Sequence, residues 1–169
     1  MSIHDVIKSL VNKDLFLLTS ELLGEDTPRT IYYSNEVREI VDGANCKVRN
    51  KNRFASAKAV MDAFIELGEI TFGLDPFEKD HDAIMARTEP SDWGIIDFRV
   101  LDPTPGIRVL GGFSEPDTFI ALTWCFREDM DFDAEVSRSR GEWNKMFPGF
   151  EPQKGANVNA YITENYLTV

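Results

Sequence analysis

The sequence predicts an α+β domain: a small antiparallel β-meander with N-terminal helices packed on one face. Three observations predict it. Apolar residues recur at helical spacing over residues 3–22 and 55–67, and each run closes on a glycine, Gly24 and Gly68. Residues 93–129 read as three strands, because the turn phrases DPTPG and SEPD interrupt apolar runs. The length of 169 residues, with 43% hydrophobic and 28% charged residues, suits one ordinary globular domain. A chain of this size buries roughly 68–70% of its extended surface and needs no metal or disulfide staple.

The elements follow in chain order. Ser2 is a helix N-cap with Asp5 in the capping-box position. Ile3, Val6, Ile7, Leu10 and Val11, then Leu15, Leu18 and Leu22, carry one helical pattern to Gly24. Residues 31–33, IYY, are β-prone. Ser34 caps a short helix that ends at Asp42-Gly43. A helix over residues 55–67 buries Ala57, Val60, Met61, Phe64 and Ile65. Residues 74–92 form a polar connection with a helical turn near 82–87. Three strands follow, with a bulge at Gly111-Gly112. Then come a short helix over 134–143, an irregular stretch, and a β-prone tail that adds an edge strand or packs Tyr161 and Tyr166 on the body.

Charge excludes more than it identifies. With 29 acids against 18 basic residues the net charge is −11. Such a surface repels nucleic-acid backbones and anionic membranes, and it suits a basic protein partner. No apolar run reaches the length of a membrane span, and the N-terminus, which carries Asp5, is not a signal peptide. The expected location is cytoplasmic, with Cys46 and Cys125 as free thiols. No cofactor and no metal are expected.

Several residue groups invite a chemical reading and also have a plain one. Lys47, Arg49, Lys51, Arg53 and Lys58 form a basic run without acids, either a substrate- or phosphate-binding patch or a solvated lead into a helix. Asp75, Glu78, Asp80, His81 and Asp82 gather potential metal ligands, but their spacing matches no calcium loop. Cys125 is a nucleophile only if a base reaches it; between Trp124 and Phe126 it reads as a packing cysteine. Trp93, Trp124 and Trp143 suit either a base-stacking platform or the core and its edge, and core or core edge is preferred for Trp124. Each of the three strands ends with or contains an arginine: Arg99, Arg108 and Arg127. They are either phosphate-binding groups or counter-charges to Asp97 and Glu128.

Three phrases, AVMDAFIELGEI, WGIIDFRV and GIRVLGGFSEPDTFIALTWCF, carry a resemblance to a known family. Together they resemble the RelE/ParE/HigB superfamily of toxin–antitoxin toxins, especially its HigB-like, phage-derived branch. The resemblance covers residues 55–128, leaving 1–50 as an N-terminal helical extension and 129–169 as a C-terminal extension of a single domain. It implies helices on one face of a small antiparallel sheet, and ribosome-dependent cleavage of messenger RNA. Arg99, Arg108 and Arg127 are then the catalytic candidates, as guanidinium groups that hold a phosphate oxygen and stabilise transition-state charge. The implied partner is a protein, either an antitoxin or the ribosome.

The sequence departs from that pattern where a lysine-rich phrase usually follows the third strand. Seven acids between Glu115 and Glu135 surround one arginine, Arg127, and neither His4 nor His81 lies near it in sequence. Direct nucleic-acid binding is therefore disfavoured. Two functions stand as expectations: a RelE-like toxin, or a degenerate relative lacking cleavage, and a non-enzymatic acidic protein of phage or mobile-element type. The second binds a basic host protein by presenting carboxylates where phosphates would sit.

Overall fold

The computed structural model describes residues 1–43, 45–75 and 82–169. Its frame is one eight-stranded sheet. The strands are β1 (Leu15–Leu17), β2 (Thr30–Ser34), β3 (Ile70–Gly73), β4 (Met85–Arg87), β5 (Ile96–Val100), β6 (Ile107–Glu115), β7 (Thr118–Phe126) and β8 (Tyr166–Thr168). They lie in the order β1-β2-β7-β6-β5-β4-β3-β8. The helices are α1 (Ile3–Leu10), α2 (Asn35–Asp42), α3 (Lys51–Ile65) and α4 (Phe132–Met146).

The α+β class holds, and the predicted meander is the centre of the sheet: β5, β6 and β7 are antiparallel neighbours. The sheet as a whole is not a simple meander. β2 joins β7 in parallel, and β3 runs parallel to both β4 and β8. Every residue of β5 is buried, so the sheet needs cover on both faces.

Two sets of helices provide that cover. On one face Phe98, Val100, Val109 and Phe119 form a cluster with Val37 and Ile40 of α2 and Phe54, Met61 and Phe64 of α3. On the other, Ile120 and Leu122 meet Ile7 of α1 and Trp143 of α4, and Leu110 meets Val136 of α4. The helices therefore divide between the two faces instead of sharing one.

Several local expectations hold in detail. Ser2 and Asp5 form the reciprocal capping box on α1. Ser34 Oγ accepts from the Val37 N–H at 3.2 Å, and Gly43 ends α2 in the left-handed conformation at φ 61°. Between β6 and β7 the register shifts at Leu110/Gly111. A Cβ on Gly111 would lie 1.8 Å from the Ile120 carbonyl oxygen, so only glycine fits that bulge. The tail adds edge strand β8, and Tyr161 is fully buried against Phe72 and Phe113.

Other elements differ from the sequence reading. The single helix expected to run to Gly24 stops at Leu10; Asn12 turns left-handed and Leu15–Leu17 forms β1. Leu15 sits at helical spacing from Leu10 and Val11, but it is wholly buried as a strand residue beside β2. The helical turn near 82–87 is instead strand β4, which fills the place between β3 and β5. Helix α3 starts at Lys51, so Phe54 joins the core. At its end Leu67, not Gly68, takes the left-handed conformation, at φ 68°. Gly68 is needed because a Cβ there would lie 2.7 Å from the Ala63 carbonyl oxygen. Helix α4 is longer than the predicted 134–143.

Candidate functional site

The three strand arginines do not form an exposed phosphate-binding face. Side chains alternate along a strand, so Asp97, Arg99 and Arg108 point away from Phe98, Val100 and Val109, onto the face opposite α3. Arg99 and Arg108 stand directly opposite each other in register. Arg108 donates to Asp97 Oδ2 at 2.9 Å, and Arg99 donates to the Ala83 carbonyl at 3.1 Å. The Arg99 Nε lies 3.9 Å from the same Asp97 oxygen. All three residues are buried. Burial first, and the neighbouring Arg108 charge second, lower the pKa of Arg99; Asp97 acts in the opposite sense.

Arg127 lies just beyond the strands, exposed in the short 3-10 turn Arg127–Asp129. Arg99 faces Arg108 and Arg108 faces Cys125 in register, so Arg127, two residues beyond Cys125, lies at the same end of the sheet. The pairing with Asp97 that the sequence suggested is present, but inside the protein. Glu128 serves a different cation. It holds Arg53 of α3 through two bonds of 2.7 Å. Arg53 also donates to the Gly106 carbonyl at 2.9 Å and lies over the Phe126 ring, 4.0 Å from its centroid.

Nothing in the local sequence marks Arg29. It is 1% exposed, donates to the carbonyls of Phe64, Gly68, Glu164 and Asn165, and lies 5.1 Å over the Phe64 ring. These bonds tie the end of α3 to the C-terminal tail. Burial lowers its pKa, while Asp117 and Glu164 oppose that shift. Three arginines and one carboxylate, Asp97, are buried among the described residues. The exterior is correspondingly more acidic than the net charge of the chain.

The basic run at 47–53 is where cations and an open cleft coincide. A cleft of about 500 Å³ lies between the end of α2 and the start of α3. Its floor is aromatic: Phe54, Trp124 and Phe126, with Trp124 edge-on to both phenylalanines at 5.3 and 5.1 Å. Lys47 and Arg49 stand exposed on its rim and form no ion pair among the described residues. Lys51 is exposed in the first turn of α3, outside the lining, while Arg53 is committed to Glu128. Arg38 also lines the cleft, paired with Asp42 at 2.8 Å and stacked on Phe16. Trp124 takes the core-edge place the sequence suggests: it is half-buried, packs against the main apolar cluster and forms part of the cleft floor, while Trp143 is fully buried.

The remaining candidates resolve simply. Burial, with Glu135 and Asp97 adding to it, pushes the Cys125 thiol up to about 12, so it stays protonated at neutral pH. Cys46 lines the cleft, with Sγ 3.3 Å from the Lys47 carbonyl. His4 stands 3.2 Å from Glu115, far along the chain from the arginines. Glu78, Asp80 and His81 of the acidic group lie outside the described residues. Among the described residues no three His, Cys, Asp or Glu side chains gather around a common point, and no helix is long and apolar enough to cross a membrane.

No family model, curated protein or solved structure matches the chain significantly.

Proposed function

We propose that the protein is a non-enzymatic binding protein whose acidic exterior recognises a basic protein partner. Within the RelE-like reading, the same geometry favours a relative that does not cleave RNA. Arg99 and Arg108 are buried and bonded, so a phosphate would have to displace Asp97 and a backbone carbonyl to reach them.

The observation that carries the proposal is an ordered turn that holds two leucines in water between acids. Leu22 and Leu23 are 83% and 47% exposed, flanked by Glu21, Glu25 and Asp26. The turn is fixed from beneath. Ser20 and Gly24 exchange backbone hydrogen bonds of 2.9 and 2.8 Å, and Ser20 Oγ accepts from the Leu22 and Leu23 N–H groups. Ser20 Oγ in turn donates to Glu66 at the end of α3, at 2.5 Å. A rigid apolar tip costs little ordering entropy on docking, and the acids around it steer a cationic surface towards it.

The test is capture from a host lysate at low and moderate salt, with Leu22→Ser/Leu23→Ser as comparator. The expected result is a basic protein retained by the parent, lost with the double variant and weakened as salt rises. Induced expression supplies the opposing arm. Cleaved messenger RNA, with cleavage abolished by Arg127→Ala at its exposed position, would overturn the proposal in favour of a nuclease.

A further inference from the structure

The cleft over Trp124 is separate from the leucine tip and has a different chemistry. We infer that it binds a nucleoside monophosphate, with the base against the Trp124 ring and the phosphate on Lys47 and Arg49. The inference does not depend on the protein-binding proposal.

Four features of the cleft converge. Its volume of about 500 Å³ falls within the range of roughly 300–1,000 Å³ usual for small-molecule sites. Its floor is an aromatic cluster in which Trp124 stands edge-on to Phe54 and Phe126 and is half-buried, leaving part of the indole for a planar ring to stack on. Asn35, Asn45 and Asn50 line the walls; the Asn35 amide already donates to the Lys13 carbonyl at 3.3 Å, and the Asn45 and Asn50 amides carry donors and an acceptor, as the edge of a nucleobase does. On the rim stand two cations that the fold does not use. Most arginines of the chain are buried or ion-paired; Arg49, like Arg127, is exposed without an ion pair among the described residues, and with Lys47 it lies beside an aromatic floor. The first turn of α3, which opens at this rim, carries no acid and no side-chain cap, so its positive end adds to the same field.

The surroundings select one phosphate over a chain of them. Glu39 and Asp42 line the cleft on the α2 side. A second hollow of about 470 Å³ continues past Arg49 and Phe126, and there Glu128 and Asp129 line it. A nucleic-acid strand leaving in either direction would pass carboxylates, with Asp42 paired to Arg38 on one side and Glu128 paired to Arg53 on the other, whereas Lys47 and Arg49 carry no such ion-pair partner among the described residues.

The test uses the full chain, titrated with AMP, GMP, CMP and UMP and followed by calorimetry and tryptophan fluorescence. Adenosine and inorganic phosphate serve as the two half-ligands. The expected result is that at least one nucleotide binds at least tenfold tighter than adenosine or phosphate, with a change in indole emission. Lys47→Gln/Arg49→Gln, at exposed positions, should weaken binding by roughly tenfold with an unchanged circular-dichroism spectrum and melting temperature. Trp124→Phe should remove most of the emission change while leaving measurable calorimetric binding. Three outcomes overturn the inference: no nucleotide heat up to about 5 mM, binding indifferent to Lys47→Gln/Arg49→Gln, or a twelve-nucleotide single strand binding tighter than the monomer. The last would identify a strand-tracking groove.

Discussion

The arginines inside the sheet and the cations at the start of α3 carry the same charge in opposite environments. Arg29, Arg99 and Arg108 have been taken out of water and are held by carbonyls or by Asp97. Lys47, Arg49 and Lys51 remain in water beside an aromatic cleft. A buried guanidinium has lost its hydration, so the groups that replace water become part of the fold. An exposed cation costs nothing to keep and remains available to a ligand. The difference teaches that charge alone does not mark a site here; desolvation assigns one group to structure and leaves the other free for recognition.

The comparison breaks most readily at Arg29. Arg29→Ala leaves the carbonyls of Phe64, Gly68, Glu164 and Asn165 without their buried donor. The expected loss is about 4 kcal/mol, the scale for removing one side of a buried charged network. Urea unfolding measures it, and a loss below about 1 kcal/mol would show that water replaces the guanidinium. Next is Asp97→Asn, which removes the carboxylate beside Arg99 and Arg108 at an expected cost of about 3 kcal/mol. Adding Arg108→Met should recover part of that loss. No recovery in the double variant would mean that Arg108 contributes through contacts other than Asp97.

How much of this was legible in the sequence follows from where each determinant lies. The caps at Ser2 and Ser34, the turn at Gly43 and the bulge at Gly111 depend on residues a few positions apart or on glycine itself, and each was readable. Strand β1 was not, because Leu15 is a strand residue only in the presence of β2 and the apolar cluster around Ile120 and Leu122. Strand β4 failed for the same reason: its partners lie on both sides of it in the sheet. Asp97 was readable as a counter-charge to the strand arginines. Its burial with Arg99 was not, since it depends on the elements that cover that face of the sheet. Arg29 gave no local signal; its acceptors lie up to 136 residues away. Of the cleft, the basic run was visible, but its aromatic floor comes from α3 and β7, which meet only after folding.

Arg53 stands on the border between the two groups and gives the smallest, sharpest test. It belongs to the basic run, yet Glu128 and the Gly106 carbonyl hold it against Phe126. The Arg53 hydrogen bonds hold the Glu128 carboxyl below its ordinary value of 4.5. A depressed carboxylate stabilises the fold fully above its unfolded pKa, and that contribution disappears as pH falls through the folded pKa. The stability difference between the parent and Glu128→Gln should therefore be present at neutral pH and vanish on acidification below about 4.5. Arg53→Gln should return the Glu128 titration, followed by carboxyl-carbon NMR, towards 4.5. Glu128→Gln has a second consequence at neutral pH. It releases Arg53 and removes an acid from the hollow that continues the cleft, so nucleotide binding should tighten by roughly two- to threefold, as expected for one exposed charge. Weaker binding would mean that Glu128 orders the cleft through Arg53, and Arg53 would then belong with the buried arginines.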